Sequence, residues 1–196
     1  DTNRFNDGKC DASGRFWAGT MPMRSSEPAG NLYFLDHGLN VTHVLDGISC
    51  SNGIAWTGDN KTMYYIDTPT RQVVAFDFDL SAGKIKNKRA VVTIPPGEGS
   101  PDGMTIDSEG MIWVAQWGGS KVSRWNPQNG ERLEIIPVPA ERVTSCTFGG
   151  ENLDELYITT ARIGLSNEEL QQQPYAGGVF RIKVGVKGTK SYSFRG

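Results

Sequence analysis

Apolar residues in this chain alternate with polar ones over short runs and almost never recur at helical spacing. Leu32-Tyr33-Phe34-Leu35, Val74-Ala75-Phe76-Asp77, Val122-Ser123-Arg124-Trp125 and Val179-Phe180-Arg181-Ile182 have the two-residue period of half-buried strands. An aromatic or branched run precedes each: Phe16-Trp17-Ala18, Met63-Tyr64-Tyr65-Ile66, Ile112-Trp113-Val114 and Leu156-Tyr157-Ile158. Before these runs stand turn formers, Ala12-Ser13-Gly14, Gly58-Asp59-Asn60, Ser108-Glu109-Gly110 and Gly150-Glu151-Asn152. A further strand follows in three places, Thr42 to Leu45, Ala90 to Ile94 and Leu133 to Val138. Only Ser166-Asn167-Glu168-Glu169-Leu170 reads as helix, a single turn with the Ser and Glu of a capping box.

The strands belong to a repeat. Small polar pairs, Asp7-Gly8, Asn52-Gly53, Asp102-Gly103 and the looser Ser145-Cys146, return at roughly 45 to 50 residues. Four short antiparallel strands per repeat make a propeller blade. The pattern therefore predicts an all-β β-propeller of four-stranded antiparallel blades, about four of them in a single domain spanning 1–196. An irregular β-sandwich would account for the strands but not for the polar pair returning in register. Propeller symmetry would place Asn6 or Asp7, Asn52, Asp102 and Ser145 in a ring at one channel mouth. Amide and carboxylate oxygens in such a ring suit a hard cation such as Ca²⁺ better than structural zinc. The plainer reading is that Asn-Gly and Asp-Gly are turn residues tolerating positive φ.

Charge narrows the partner. A formal net charge of −2 and a pI near 5.7 supply no basic field for nucleic acid or an anionic membrane, which leaves a small or neutral ligand. No apolar run reaches bilayer length, and the expectation is a soluble, cytoplasmic protein. Cys10, Cys50 and Cys146 have no metal-ligand spacing and read as thiols of a reducing compartment. Trp17 and Trp113, at one repeat position, read as core. The basic run Lys84-Ile85-Lys86-Asn87-Lys88-Arg89 reads as a solvated hairpin.

The blocks "NRFNDGKCDASGRFWAGTM", "SNGIAW", "MYYIDT", "SPDGMTIDSEGMIWVAQW", "VTSCTFGGENLDELYITTA", "GGVFRI" and "VGVKG" resemble the SMP-30/gluconolactonase/regucalcin family. The resemblance implies a calcium-associated propeller of about six blades that hydrolyses sugar lactones. It implies that Asn52 and Asp102 bind a divalent metal, Ca²⁺ first and Zn²⁺, Mn²⁺ or Mg²⁺ as alternatives. It also implies that Arg4 and Asn6 face the substrate and that Asp102 doubles as general base. The family's third metal ligand, a Glu, lies in a part preceding the residues matched here. The expectation is accordingly a piece lacking its N-terminal blades, with that missing part as a partner. Pro22-Met23-Arg24 stand where some relatives carry a substrate-contacting acid, so Arg24 would shift sugar preference. Two other functions fit the same chemistry: phosphotriester hydrolysis at the cation, and a non-catalytic calcium-binding scaffold.

Overall fold

The computed structural model describes residues 2–25 and 27–196, which form antiparallel β-structure with one short α-helix and a 3₁₀ turn at Thr68–Thr70. Contacts divide the chain into two compact units, 1–91 with 190–196 and 92–189.

The first unit holds two four-stranded antiparallel sheets. One contains β1 (Asn3–Cys10), β2 (Phe16–Pro22), β3 (Gly30–Leu35) and β4 (Val41–Ile48), paired in chain order. The other contains β5 (Ser51–Trp56), β6 (Thr62–Asp67), β7 (Gln72–Asp79) and β8 (Lys84–Thr93), likewise in order. Trp17, Leu32, Phe34 and Ile48 of the first sheet share a core with Ile54, Trp56, Met63, Tyr65, Val74, Phe76 and Phe78 of the second. The Trp17 ring meets Trp56 and Phe78 edge-on at 5.9 and 5.8 Å, the geometry that aromatic quadrupoles favour. The basic run, expected as a solvated hairpin, starts β8, the exposed second arm of the β7–β8 hairpin and an edge strand whose lysines discourage further pairing.

The second unit carries β9 (Ser100–Ile106), β10 (Ile112–Trp117), β11 (Lys121–Asn126) and β12 (Glu131–Pro137), again antiparallel neighbours in order. β13 (Arg142–Gly149), β14 (Glu155–Ala161) and β15 (Val179–Lys183) follow as a three-stranded meander. The pair Trp117 and Arg142 joins β10 to β13, so the seven strands count as one sheet. Among the described residues the one α-helix is α1 (Asn167–Gln172), and its capping box is complete. Ser166 Oγ accepts from Glu169 N at 3.2 Å, and Glu169 returns its carboxylate to Ser166 N at 2.7 Å.

The polar pairs are not turns. Each lies inside the first strand of its group, at a point where that strand has one more residue than its partner. The extra residue falls between Phe5 and Gly8, between Ser51 and Ile54, between Pro101 and Met104, and between Val143 and Ser145. These are β-bulges, devices that re-aim side chains along a strand. Among the described residues, Gly8, Gly53 and Gly103 do not take positive φ, which removes the turn explanation. The bulges also correct the repeat frame by one residue. Asn6, Asn52 and Asp102 occupy equivalent positions, Asp7 matches Gly53 and Gly103, and the fourth equivalent is Thr144 rather than Ser145.

Candidate functional site

In the first unit the bulges of β1 and β5 bring Asn6 and Asn52 to the same thiol. Asn6 Nδ2 donates to the Ser51 carbonyl at 2.7 Å and reaches Cys50 Sγ at 3.8 Å. Asn52 Nδ2 donates to Thr68 Oγ1 at 2.8 Å and reaches the same sulfur at 3.7 Å. Among the described residues, every hydrogen bond made by these two side chains uses the amide nitrogen, so both Oδ1 atoms remain available as acceptors. Asn52 is buried and Asn6 half-buried.

Backbone contacts hold this cluster in place. Asp67, at the end of β6, accepts from Cys50 N at 2.8 Å and from Ser49 N at 3.1 Å. Thr68 N donates back to the Cys50 carbonyl at 3.1 Å. Buried Tyr65 gives its hydroxyl to Ser51 Oγ at 2.7 Å, and burial pushes its pKa up, so it stays a protonated donor.

Arg4 sits in β1 opposite Met21 and is exposed. Its Nη1 donates to the Phe5 carbonyl at 3.0 Å, and among the described residues it makes no ion pair. Arg24, just beyond β2, is exposed as well. Asp7 is half-buried beside an apolar groove of about 400 Å³ lined by Phe5, Phe16, Tyr33 and Val41 among others. Burial raises its carboxyl pKa against the opposing pull of the Gly8 N–H and Lys9.

Asp102 belongs to the second unit and is half-buried at the bulge of β9. Beside it Gly103 is packed against Ser145 so closely that a Cβ there would collide with the serine side chain. Glu98, before β9, takes Lys121 Nζ at 2.9 Å and also Arg132, and these cations hold its carboxyl below the usual range. Buried Gln116 donates to the Glu98 carbonyl at 2.6 Å and accepts from Ser123 Oγ. Arg142 lies over the half-exposed Trp117 ring at 5.2 Å.

Sequence reading named Asn6, Asn52 and Asp102 but missed Cys50, Asp67 and Thr68, which support the two asparagines. No motif marks them, because they act through backbone geometry and one sulfur. It also missed Asp11 and Asp107, for which a signal exists. Each stands six residues before a tryptophan, and both carboxylates are buried against the indole N–H.

Donor chemistry fits a hard cation at Asn52, a buried residue whose hydrogen bonds among the described residues all use the amide nitrogen, which leaves its oxygen, a hard donor, for such an ion. Among the described residues, no group of three or more His, Cys, Asp or Glu side chains could hold a metal. Among the described residues no helix is long and apolar enough to cross a membrane.

The family model described as SMP-30/Gluconolactonase/LRE-like region matches residues 1–162. Regucalcin of Bos taurus is 46% identical over 200 residues, covering 99% of this chain and 67% of the relative. A calcium-binding protein, regucalcin, of Agrobacterium tumefaciens superposes with TM-score 0.93 at 30% identity, covering 99% of this chain and 65% of the other. A luciferin-regenerating enzyme superposes with TM-score 0.90 at 39% identity, covering 99% of this chain and 66% of the other. The chain thus spans about two-thirds of the length of these relatives.

Proposed function

This chain belongs to the SMP-30/gluconolactonase/LRE-like family, and from that premise we propose that it serves the divalent-cation-dependent hydrolysis of sugar lactones. The observation carrying the proposal is the pair of amides at the β1 and β5 bulges. Both nitrogen ends are tied into the protein and both oxygen ends are left for ligands.

In this reading each four-stranded group is one blade of a propeller. Asn52 would hold the cation through its amide oxygen, Ca²⁺ by the hardness of the donor, and Asp102 would be a second ligand, as the family resemblance implies. A cation held there would supply Lewis-acid polarisation of the lactone carbonyl and charge stabilisation for the oxyanion. The Asp102 carboxylate accepts the proton of the attacking water. Arg4 donates its planar fork to sugar hydroxyls, and Asn6 Oδ1 accepts from one of them. Collapse of the tetrahedral intermediate breaks the ring C–O bond. Proton return to that ring oxygen gives the open-chain aldonic acid. The protein would work in the cytoplasm.

The partner in this reading is the part of the family's length that the chain does not span. Register supports it. Cys10 pairs with Phe16 as Trp56 pairs with Met63, so Phe16, Ala18, Tyr33 and Leu35 correspond to Met63, Tyr65, Val74 and Phe76. The latter four are buried against the Trp17 face of the neighbouring sheet, whereas the former line the apolar groove. A further blade of the same kind fits that face.

Glucono-1,5-lactone hydrolysis tests the proposal, in these 196 residues and in a protein of the family's full length. Activity that chelation abolishes, Ca²⁺ restores and Asp102→Asn removes is the expected result. Turnover indifferent to chelator and to Asp102 would overturn it.

A further inference from the structure

We propose that Cys50 is a positioning residue whose sulfur sets the orientation of Asn52 and reinforces that of Asn6, which the Ser51 carbonyl already fixes, so that their oxygen ends face ligands. The inference rests on the lactonase reading for its functional consequence, but its geometry stands independently.

An asparagine amide presents donor on one side and acceptor on the other, and a half-turn about its terminal bond exchanges them. Whichever orientation leaves more groups paired is the one populated. Each amide has one strong anchor for its nitrogen, the Ser51 carbonyl for Asn6 and Thr68 Oγ1 for Asn52. Thr68 is an ambivalent anchor, since a hydroxyl can equally donate to the amide oxygen. The sulfur decides between the two. Cys50 lies within 3.8 Å of Asn6 Nδ2 and 3.7 Å of Asn52 Nδ2. Its own S–H is directed at Met21 Sδ, 3.7 Å away, so the lone pairs of Sγ face the amides. With the thiol hydrogen committed to the thioether, an amide oxygen turned toward the sulfur would meet only lone pairs.

One thiol therefore couples a candidate substrate residue of β1 to a candidate cation ligand of β5. Residues that orient ligands in this way typically govern about 10- to 100-fold in metal affinity or activity. Serine keeps an acceptor but on a shorter bond, and valine fills the space with no acceptor.

The test compares wild type, Cys50→Ser, Cys50→Val and Met21→Leu. Side-chain amide resonances of Asn6 and Asn52 are followed by ¹⁵N NMR without metal, Ca²⁺ is titrated calorimetrically, and lactone kinetics are measured. In Cys50→Val both amide pairs should move, the Kd for Ca²⁺ should rise about tenfold or more, and KM should rise with it. Cys50→Ser should recover most of the loss, and Met21→Leu should move both amides with the thiol intact. Unmoved resonances in Cys50→Val, or moved resonances with unchanged Kd and KM, would overturn the proposal. Wild type that neither binds Ca²⁺ nor hydrolyses lactone would sink the lactonase reading instead, and the amide resonances alone would then decide the role of Cys50.

Discussion

Trp113, with none of its surface exposed, donates its indole N–H to Asp107 Oδ2 at 2.9 Å. Asp107 Oδ1 accepts from the backbone of Glu109 and Met111, and Arg124 Nε reaches Oδ2 at 2.8 Å. One carboxylate thus closes the turn between β9 and β10, fixes the ring that fills the core, and neutralises a guanidinium. Asp11 does the same for Trp17, at 2.8 Å, with Arg15 as its cation at 2.7 Å. Removing one member of a buried ion pair typically costs about 3 to 5 kcal/mol, because the partner is left charged and dry. Asp107→Ala should lose stability of that order in urea unfolding. Glu109→Ala, which removes a largely exposed carboxylate from the same arginine, should lose less than about 1 kcal/mol. Equal losses in the two variants would show that Arg124, not the indole, is the important partner.

Gly19 lies where a Cβ would collide with the Ser51 side chain, which in turn accepts the Tyr65 hydroxyl. Overpacking at such a contact costs roughly 1 to 3 kcal/mol, and Gly19→Ala should do so while displacing Ser51. Ser51→Gly removes the obstructing Cβ, so the double variant should recover part of the loss. A double-mutant cycle from equilibrium unfolding measures that coupling. Strict additivity would mean that the backbone moves instead.

Two carboxylates should give opposite dependences on pH. Asp7 has its folded pKa raised above 3.8 by burial, so ionisation opposes folding. The penalty is absent below the unfolded value and complete above the folded one. Asp7→Asn should therefore raise Tm at neutral pH and lose that advantage as pH falls through the folded pKa, with none left below about 3.8. Glu98 is lowered from 4.5 by Lys121 and Arg132, so its contribution is present above that value and lost as pH falls through the folded pKa. Glu98→Gln should lower Tm at neutral pH and converge with wild type in acid. Thermal melts across pH 2 to 8 read both, and parallel curves would refute the assignment.

Strand content was legible because period-two alternation and turn formers are local signals, and Ser166 with Glu169 declared its cap equally plainly. The polar pairs left a turn and a strand reading both open for a physical reason. Asn-Gly and Asp-Gly favour turns in isolation, yet here the flanking pairings carry the strand straight through and only a bulge absorbs the extra residue. Register across strands is a long-range property, so the one-residue correction that aligns Asn6 with Asn52 and Asp102 needed the ladder. Asn6 and Asn52 themselves were legible by motif. Cys50 was not, because its role comes from where three separate strand segments place Asn6, Asn52 and Met21 around one sulfur.

The apolar groove on the first sheet makes the last prediction. Phe5 and Phe16 are 64% and 39% exposed there, although the positions matching Phe16, Ala18, Tyr33 and Leu35 in the next sheet are all buried. Full burial of a phenylalanine stabilises by about 1.5 to 3 kcal/mol. If another blade covers this face, Phe16→Ser should cost that much in a protein of the family's full length and little in these 196 residues alone. In the shorter chain the same change should instead reduce binding of a hydrophobic dye, because the patch it interrupts faces water. Equal stability losses in the two lengths would mean that Phe16 contributes only within its own sheet, and that the register equivalence with Met63 does not extend to burial.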